Sequence, residues 1–215
     1  MANYVLGISG GSGAPYALGV LKGLLEAGHD VFLVITPAGR RVLEIESDIL
    51  MDGDVENDRR VLLDSLPIDT HKGELEVLET TDFSASIASG SFRTAGMVIV
   101  PCSMGTLSRV ANGASSNLVE RAADVTLKER RPLLLVPRET PLSLIHMRNM
   151  VAVHEAGAIV FPAMPSFYHN PRNVQDMVDS VTGRVLDILG VESSVMRQWT
   201  GPPLTKAINL ELDEK

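Results

Sequence analysis

Tyr4-Val5-Leu6-Gly7-Ile8-Ser9-Gly10-Gly11-Ser12-Gly13-Ala14-Pro15-Tyr16 is the stretch that decides the fold. Its apolar run, residues 4–8, predicts a buried strand, and Pro15 stands where a helix begins, at a position that tolerates a missing N–H. A strand, a glycine-rich turn and a helix N-terminus suit a phosphate, since backbone N–H groups face outward and glycines permit close approach. The hydroxyls of Ser9 and Ser12 add donors. The alternative is an ordinary tight turn, because the stretch matches neither the Walker pattern nor G-x-G-x-x-G.

The alternation of strand and helix continues along the chain. Apolar runs predict further strands at residues 31–35, 75–78, 97–100, 133–136 and 158–161. Helical periodicity predicts a first helix from Pro15 to the stop at Gly28. It predicts further helices at 38–46, 55–66, 106–111, 118–129, 142–155 and 174–189. Residues 81–93 are predicted to form a long loop. This order predicts a parallel sheet covered on both faces, whose ligands bind beyond the carboxyl ends of the strands.

Composition narrows the class of protein. A length of 215 residues, 45% of them hydrophobic and 21% charged, predicts one α/β domain over residues 1–200 and a polar tail, 201–215. The formal net charge of −8 argues against a general nucleic-acid binder, because phosphate backbones require a basic face. The single cysteine, Cys102, excludes an intrachain disulfide and fits a reducing compartment. We expect no signal peptide and no membrane span, and therefore a cytoplasmic location.

Polar residues that follow the predicted strands are the candidates for chemistry. Residues 103–106, Ser-Met-Gly-Thr, form a second hydroxyl-rich turn that suits either a polar part of a cofactor or a plain helix N-cap. Arg138 directly follows a strand, where it can clamp a phosphate, and the adjacent Glu139 can exchange a proton with that phosphate. The cations between Arg121 and Arg131 complement a helix dipole and are usually solvated.

Other chemistries lack support in the sequence. The five histidines show neither an H-x-x-x-H nor an H-E-x-x-H pattern, so a metal site is not expected. Taken singly, Tyr168 suits loop packing, and Arg184 and Glu46 suit an exposed helix surface.

Six stretches together resemble the UbiX family of flavin prenyltransferases. They are Gly-Ile-Ser-Gly-Gly-Ser-Gly-Ala at 7–14, Pro-Cys-Ser-Met-Gly-Thr-Leu at 101–107, Asn-Leu-Val-Glu-Arg-Ala-Ala-Asp-Val at 117–125, Leu-Lys-Glu-Arg-Arg-Pro-Leu at 127–133, Leu-Val-Pro-Arg-Glu at 135–139 and Pro-Ser-Phe-Tyr-His at 165–169. The run from 117 to 139 is long and specific, whereas residues 51–80 carry little of the resemblance.

The resemblance implies an activity once described as aromatic-acid decarboxylase. Proteins of this family bind FMN and join a dimethylallyl group from dimethylallyl phosphate to the reduced flavin at N5 and C6, without a metal. The product, prenylated FMN, serves a UbiD-type decarboxylase. The implied fold is a flavodoxin-like, Rossmann-like three-layer α/β sandwich, assembled as a homododecamer with sites at subunit interfaces. The pathway, the recipient decarboxylase and the choice between monophosphate and pyrophosphate are left open.

The resemblance also implies roles for individual residues. Those that would hold FMN are Gly10, Gly11, Ser12, Thr36, Ser103, Met104, Gly105, Thr106 and Arg138. Those that would hold the allylic phosphate are Lys128, Tyr168 and Arg184. The implied catalytic residues are Glu46, Lys128, Glu139 and Ser12, with Glu139 handling a proton at the phosphate and Glu46 beside the flavin. Gly11 replaces a frequent Ala, and Phe83 replaces a Trp of some relatives, so the aromatic wall over the prenyl chain has a different shape.

Two other functions remain alternatives at this point. One is a flavin enzyme of similar architecture that oxidatively decarboxylates a peptidyl or pantothenoyl cysteine. The other is a non-catalytic flavin carrier. The turn at 101–105 and the region 128–139 favour the prenyltransferase over the cysteine decarboxylase.

Overall fold

The computed structural model describes residues 1–66, 72–193 and 195. Its strands are β1 (Asn3–Ile8), β2 (Asp30–Ile35), β3 (Leu75–Leu78), β4 (Gly96–Cys102), β5 (Leu133–Pro137) and β6 (Ile159–Val160). Its helices are α1 (Ala14–Glu26), α2 (Pro37–Ser47), α3 (Val55–Ser65), α4 (Met104–Ala111), α5 (Leu118–Lys128), α6 (Leu144–Glu155) and α7 (Val174–Ile188). The predicted tail, 201–215, lies outside the described residues.

One parallel sheet organises the fold. Its strands lie in the order β3-β2-β1-β4-β5-β6, with Leu6 opposite Leu33 on one side and Val98 on the other. The order reverses between β1 and β4, as in doubly wound sheets of the Rossmann type, which bind ligands at this switch point. The predicted three-layer α/β sandwich is confirmed.

Side chains of the strands alternate between two cores, because successive residues of a strand point to opposite faces. Tyr4, Leu6 and Ile8 belong to the core that α1 and α7 cover. Val5 belongs to the other core, which α4 and α5 cover. Helices therefore cover both faces of the sheet. Polar groups of the sheet are accessible where the strands begin and end, which we call its amino edge and its carboxyl edge.

Some boundaries differ from the prediction for physical reasons. β4 continues through Pro101 to Cys102 instead of ending at Val100. Its pairing with β5 shifts register between Ile99 and Cys102, and a proline is tolerated at such an irregularity. Ser103 and Ser143 are N-caps, so α4 begins two residues earlier than predicted and α6 two residues later. The predicted loop, 81–93, contains one 3₁₀ turn at Ser86–Ala88.

The starts of the helices reveal one exception that matters for the site. Helices α2 to α7 each follow a Thr, Asp, Ser or Asn whose side chain accepts a hydrogen bond from a first-turn N–H. The N-cap of α1 is instead Gly13, whose φ of 131° lies in the region that favours glycine. Gly13 has no side chain to cap the helix, so the first N–H groups of α1 need a partner from elsewhere in the chain.

Candidate functional site

Ser9 joins the two loops that meet at the switch point. Its hydroxyl donates to the Pro101 carbonyl at 3.0 Å and accepts from the Ser103 N–H at 2.8 Å. The Ser9 N–H also donates to the Pro101 carbonyl, at 3.1 Å. The prediction that Ser9 serves as a phosphate donor is wrong, because its buried hydroxyl is used to tie the β1–α1 turn to the β4–α4 turn.

Glu46, near the end of α2, supplies the missing cap of α1. Its Oε2 accepts hydrogen bonds from the Gly13 and Ala14 N–H groups, each at 2.8 Å. Burial acts to raise the pKa of Glu46, but hydrogen bonds from Ser12, Gly13 and Ala14 and the charge of Arg138 outweigh it, so the pKa is lowered. The sequence predicts an anion at this helix N-terminus, and the structure places one there, but it is the chain's own carboxylate.

Glycines bring the turn after β1 close to its neighbours. A Cβ on Gly10 would lie 2.7 Å from the Cβ of Ala38, and one on Gly11 would lie 3.3 Å from the Cβ of Pro101. The N–H groups of Gly10 and Ser12 donate to no residue in the described part of the chain. These two N–H groups are therefore available to a ligand beside the turn.

Thr36 fixes the start of α2 against the same turn. Its hydroxyl donates to the Ile8 carbonyl at 3.3 Å and accepts from the Gly39 N–H at 3.0 Å. A Cβ on Gly39 would lie only 2.6 Å from the Ile8 carbonyl oxygen, so α2 begins in direct contact with the end of β1. A hydroxyl oxygen has two acceptor positions, so that of Thr36 keeps one for a ligand.

The second hydroxyl-rich turn opens α4 beside the first turn. The Ser103 Oγ accepts from the Thr106 N–H at 3.2 Å and donates to the Thr106 Oγ1 at 3.1 Å, which confirms the N-cap interpretation. Met104 and Thr106 are buried, whereas Gly105 is exposed. Capping does not exclude contact with a ligand, because the exposed Gly105 backbone lies at the carboxyl edge of the sheet.

Arg138 faces this edge from the end of β5. Its Nε donates to the Ser12 carbonyl at 3.4 Å. Burial is the main cause of the raised pKa of Tyr16. The charge of Arg138 acts to lower this pKa and the charge of Glu46 acts to raise it, so Tyr16 lies near both of these side chains. Glu139 is exposed beside Arg138, and its carboxylate accepts a hydrogen bond from the Thr140 N–H at 3.1 Å. One chain thus assembles Ser12, Glu46, Arg138 and Glu139 at one edge.

Lys128 lies at the opposite edge of the sheet. It ends α5, before β5 begins, whereas Arg138 follows β5, and five strand residues span about 16 Å. The Lys128 Nζ contacts the Glu129 carboxylate, and a Cβ on Gly90 would lie 2.6 Å from that Nζ. Arg131, which follows the end of α5, donates a hydrogen bond to the Gly90 carbonyl at 2.7 Å and so fixes the same loop against α5. A single chain therefore does not bring Lys128 to Arg138.

Tyr168 and Arg184 are also separated from one another. Tyr168 is exposed in the loop before α7, and its ring lies 4.0 Å from that of His169. Arg184 lies ten residues into α7, which corresponds to about 15 Å along the axis, and it pairs with Asp187 on the outer layer of the protein. Lys128, Tyr168 and Arg184 are predicted to meet at one cleft, either within one chain or with one element supplied by a neighbouring subunit. A single chain does not bring the three together.

One charged pair at the carboxyl edge was missed by the sequence analysis. Arg109 of α4 contacts the carboxylate of Glu120 in the first turn of α5. The Asn117-x-x-Glu120 spacing is a helix-start signature, and it could have identified Glu120 as an N-terminal partner of Asn117. No local pattern identifies Arg109, because that contact depends on how α4 packs against α5.

The residues at the carboxyl edge fit a bound FMN. Gly10, Ser12, Thr36 and the turn at 103–106 offer N–H groups and hydroxyls, and Arg138 offers a cation to a phosphate. Among residues 1–66, 72–193 and 195 we find no group of three or more His, Cys, Asp or Glu residues able to hold a metal ion. No helix in the described ranges is long and apolar enough to cross a membrane.

Comparison with known proteins decides the family. A family model described as Flavoprotein matches residues 2–198. The flavin prenyltransferase UbiX of Halalkalibacterium halodurans is 45% identical over 196 residues, which cover 91% of this chain and 92% of that protein. The chain belongs to the UbiX family of flavin prenyltransferases.

Two solved structures extend the likeness to three dimensions. AnUbiX in complex with FMN and dimethylallyl pyrophosphate is 36% identical, with a TM-score of 0.82 over 94% of this chain and 99% of that one. A dodecameric FMN-dependent UbiX-like decarboxylase from Escherichia coli O157:H7 is 38% identical, with a TM-score of 0.80 over 93% and 100%. Both likenesses span more than nine-tenths of each chain.

Proposed function

We propose that this UbiX family member transfers the dimethylallyl group of dimethylallyl phosphate to reduced FMN, joining it at N5 and C6 and releasing phosphate. The observation that carries the proposal is the carboxyl edge at the β1–β4 switch point, where Arg138, free turn N–H groups and hydroxyls converge. Reduced FMN supplies the nucleophilic positions, and no metal is invoked. The names of the relatives and the FMN of the AnUbiX complex support this assignment.

The proposed FMN contacts are the residues of the carboxyl edge. They are Gly10, Gly11, Ser12, Thr36, Ser103, Met104, Gly105, Thr106 and Arg138. Ser12 and Glu46 lie on the same side of this edge, so we assign them to the surroundings of the reacting flavin. Glu139 is exposed beside Arg138, which suits proton exchange with a phosphate that Arg138 holds.

The allylic phosphate needs a second subunit in this proposal. Lys128 and Arg184 lie away from the carboxyl edge of their own chain, so in this proposal a neighbouring subunit brings them toward the flavin. α6 supports such an assembly, because its Leu144, Ile145, Met147 and Val151 are exposed apolar side chains. The dodecameric relative supports the proposal of a homododecamer. Cations around the phosphate stabilise the leaving group as the allyl–oxygen bond breaks.

The alternatives have weaker support. The FMN-dependent cysteine decarboxylase TvaF is only 17% identical with a TM-score of 0.52, so that likeness concerns the fold alone. A carrier that only delivers flavin would leave FMN unchanged. Delivery of prenylated FMN to a UbiD-type decarboxylase and a cytoplasmic location stay predictions.

The decisive experiment is anaerobic incubation of the protein with reduced FMN and dimethylallyl phosphate, followed by mass spectrometry of the flavin. We expect a product heavier by one C5 unit, and a parallel reaction with the pyrophosphate measures donor preference. Unchanged FMN with both donors would refute prenyl transfer and leave a carrier.

The FMN contact is tested separately with Arg138→Ala. Loss of a charge-assisted hydrogen bond should raise the Kd for FMN by about 10- to 100-fold. Arg93→Ala is the matched control, because Arg93 is exposed at the amino edge, before β4 begins. An Arg138→Ala protein that retains FMN as tightly as the control would remove Arg138 from the site.

The phosphate contact is tested with Arg184→Ala. We expect this variant to bind FMN normally and to prenylate it about 10²- to 10³-fold more slowly, as for loss of one donor to a transition state. A wild-type rate at subsaturating dimethylallyl phosphate would contradict the assignment of Arg184.

A further inference from the structure

A buried carboxylate holds a guanidinium at the opening of α4. Glu120 is completely buried in the first turn of α5, and its carboxylate accepts from the Ser116 N–H at 2.9 Å and from the Asn117 Nδ2 at 2.8 Å. The Arg109 Nε is its third donor. A buried carboxylate is costly unless it is fully paired, so this arrangement fixes the position of Arg109.

The other edge of the Arg109 guanidinium lies over the turn at 103–106. Its Nη2 donates to the Thr106 Oγ1 at 3.4 Å, and its Nη1 lies 3.4 Å from the position that a Cβ on Gly105 would take. The Arg109 side chain is 45% exposed. Because Gly105 has no side chain, the Nη groups remain accessible from the carboxyl edge where the other proposed FMN contacts lie.

Arg109 brings a cation close to the first turn of α4. The N-terminus of a helix carries a partial positive charge, and the carboxylate of Glu120 compensates the cation there while leaving the Nη side of the guanidinium exposed to a ligand. Among the described residues, the guanidinium of Arg109 donates from Nε to Glu120 and from Nη2 to Thr106, and its Nη1 makes no hydrogen bond. A phosphate monoester carries nearly two negative charges, and Arg138, which directly follows β5, already lies near Glu46. A second cation at this edge would balance the second negative charge of such a phosphate.

We propose that Arg109 binds a phosphate monoester at the carboxyl edge and that Glu120 is its positioning residue. The inference rests on the proposed function, in which two phosphate monoesters enter the site: FMN and dimethylallyl phosphate. Nη1 and Nη2 donate to the phosphate oxygens, and Glu120 holds the guanidinium in the required orientation.

The test uses the Arg109→Gln, Glu120→Gln double variant, which removes both charges and leaves no buried carboxylate unpaired. The Kd values for FMN and for riboflavin, which lacks the phosphate, are measured on the apoprotein by flavin fluorescence quenching. If Arg109 binds the FMN phosphate, the Kd for FMN rises about 10- to 100-fold while that for riboflavin is unchanged. If it binds the substrate phosphate, both flavin affinities are unchanged and the KM for dimethylallyl phosphate rises.

Two comparisons make the result specific. Arg121→Gln is the matched control, since Arg121 is 38% exposed and pairs with Asp124 on α5. Glu120→Gln alone keeps the Arg109 charge but weakens its anchor, so the selectivity for FMN over riboflavin should fall by less than in the double variant. Equal losses for FMN and riboflavin, or no change in any of the three constants, would overturn the proposal. An Arg109-dependent preference for FMN in a protein that does not prenylate would support Arg109 while refuting prenyl transfer.

Discussion

Replacing Ser9 by alanine removes the hydroxyl that connects the two loops of the carboxyl edge. The Pro101 carbonyl keeps a partner, because the Ser9 N–H also donates to it at 3.1 Å. The Ser103 N–H loses its acceptor at 2.8 Å, and an unsatisfied donor that is shielded from water costs about 1–3 kcal/mol. We therefore expect Ser9→Ala to lower the free energy of unfolding by about 2 kcal/mol.

For a chain of 215 residues this loss corresponds to a decrease in Tm of about 4–8 °C. Thermal unfolding of the flavin-free protein, followed by circular dichroism at a fixed protomer concentration, measures it. Ser91→Ala is the control, because Ser91 is exposed and its side chain hydrogen-bonds, among the described residues, only to that of Ser89. Its Tm should stay within about 1–2 °C of wild type. A Ser9→Ala variant with the Tm of the control would refute the bridging role of the hydroxyl.

Three further predictions concern other parts of the edge. Burial raises the pKa of Cys102 to about 12, so the native protein should not react with a thiol reagent near neutral pH, whereas the denatured chain should react stoichiometrically. The pKa of Glu46 is lowered from its ordinary value of 4.5, so its stabilisation is complete above that pH and declines as the pH falls below it. The Tm advantage of wild type over Glu46→Gln should therefore shrink on acidification below pH 4.5, and a pH-independent difference would contradict this. Gly39→Ala should cost about 1–3 kcal/mol in thermal unfolding, because its Cβ would lie 2.6 Å from the Ile8 carbonyl oxygen, whereas Gly105→Ala, with a nearest contact of 3.4 Å, should not destabilise.

The sequence predicts the sheet well because its signals are local. Apolar runs bounded by Gly and Pro identify β1 and β2 within one residue, and β3 without error. The end of β4 is predicted too early because proline usually ends a strand and Pro101 follows Val100. The pairing of Cys102 with Pro137 of β5 shows that the strand continues.

The site is predicted less completely because it depends on packing between distant elements. The cap of Thr36 on α2 is local and could be read from the sequence. The bond from Gly13 to Glu46 spans 33 residues, and the contact of Arg109 with Glu120 joins two helices. Neither follows from periodicity, since each requires the relative positions of two packed helices.

Because Arg138 and Lys128 lie at opposite edges of one sheet, each chain in the proposed assembly contributes to two different centres. Two defective alleles, one encoding Arg138→Ala and the other Lys128→Ala, would then be expected to complement each other when coexpressed. With random mixing, about a quarter of the centres would combine an intact Arg138 edge with an intact Lys128 from a neighbour. Variants that disable only one of these two ends of the sheet would therefore fall into two complementation groups, according to the end at which they lie.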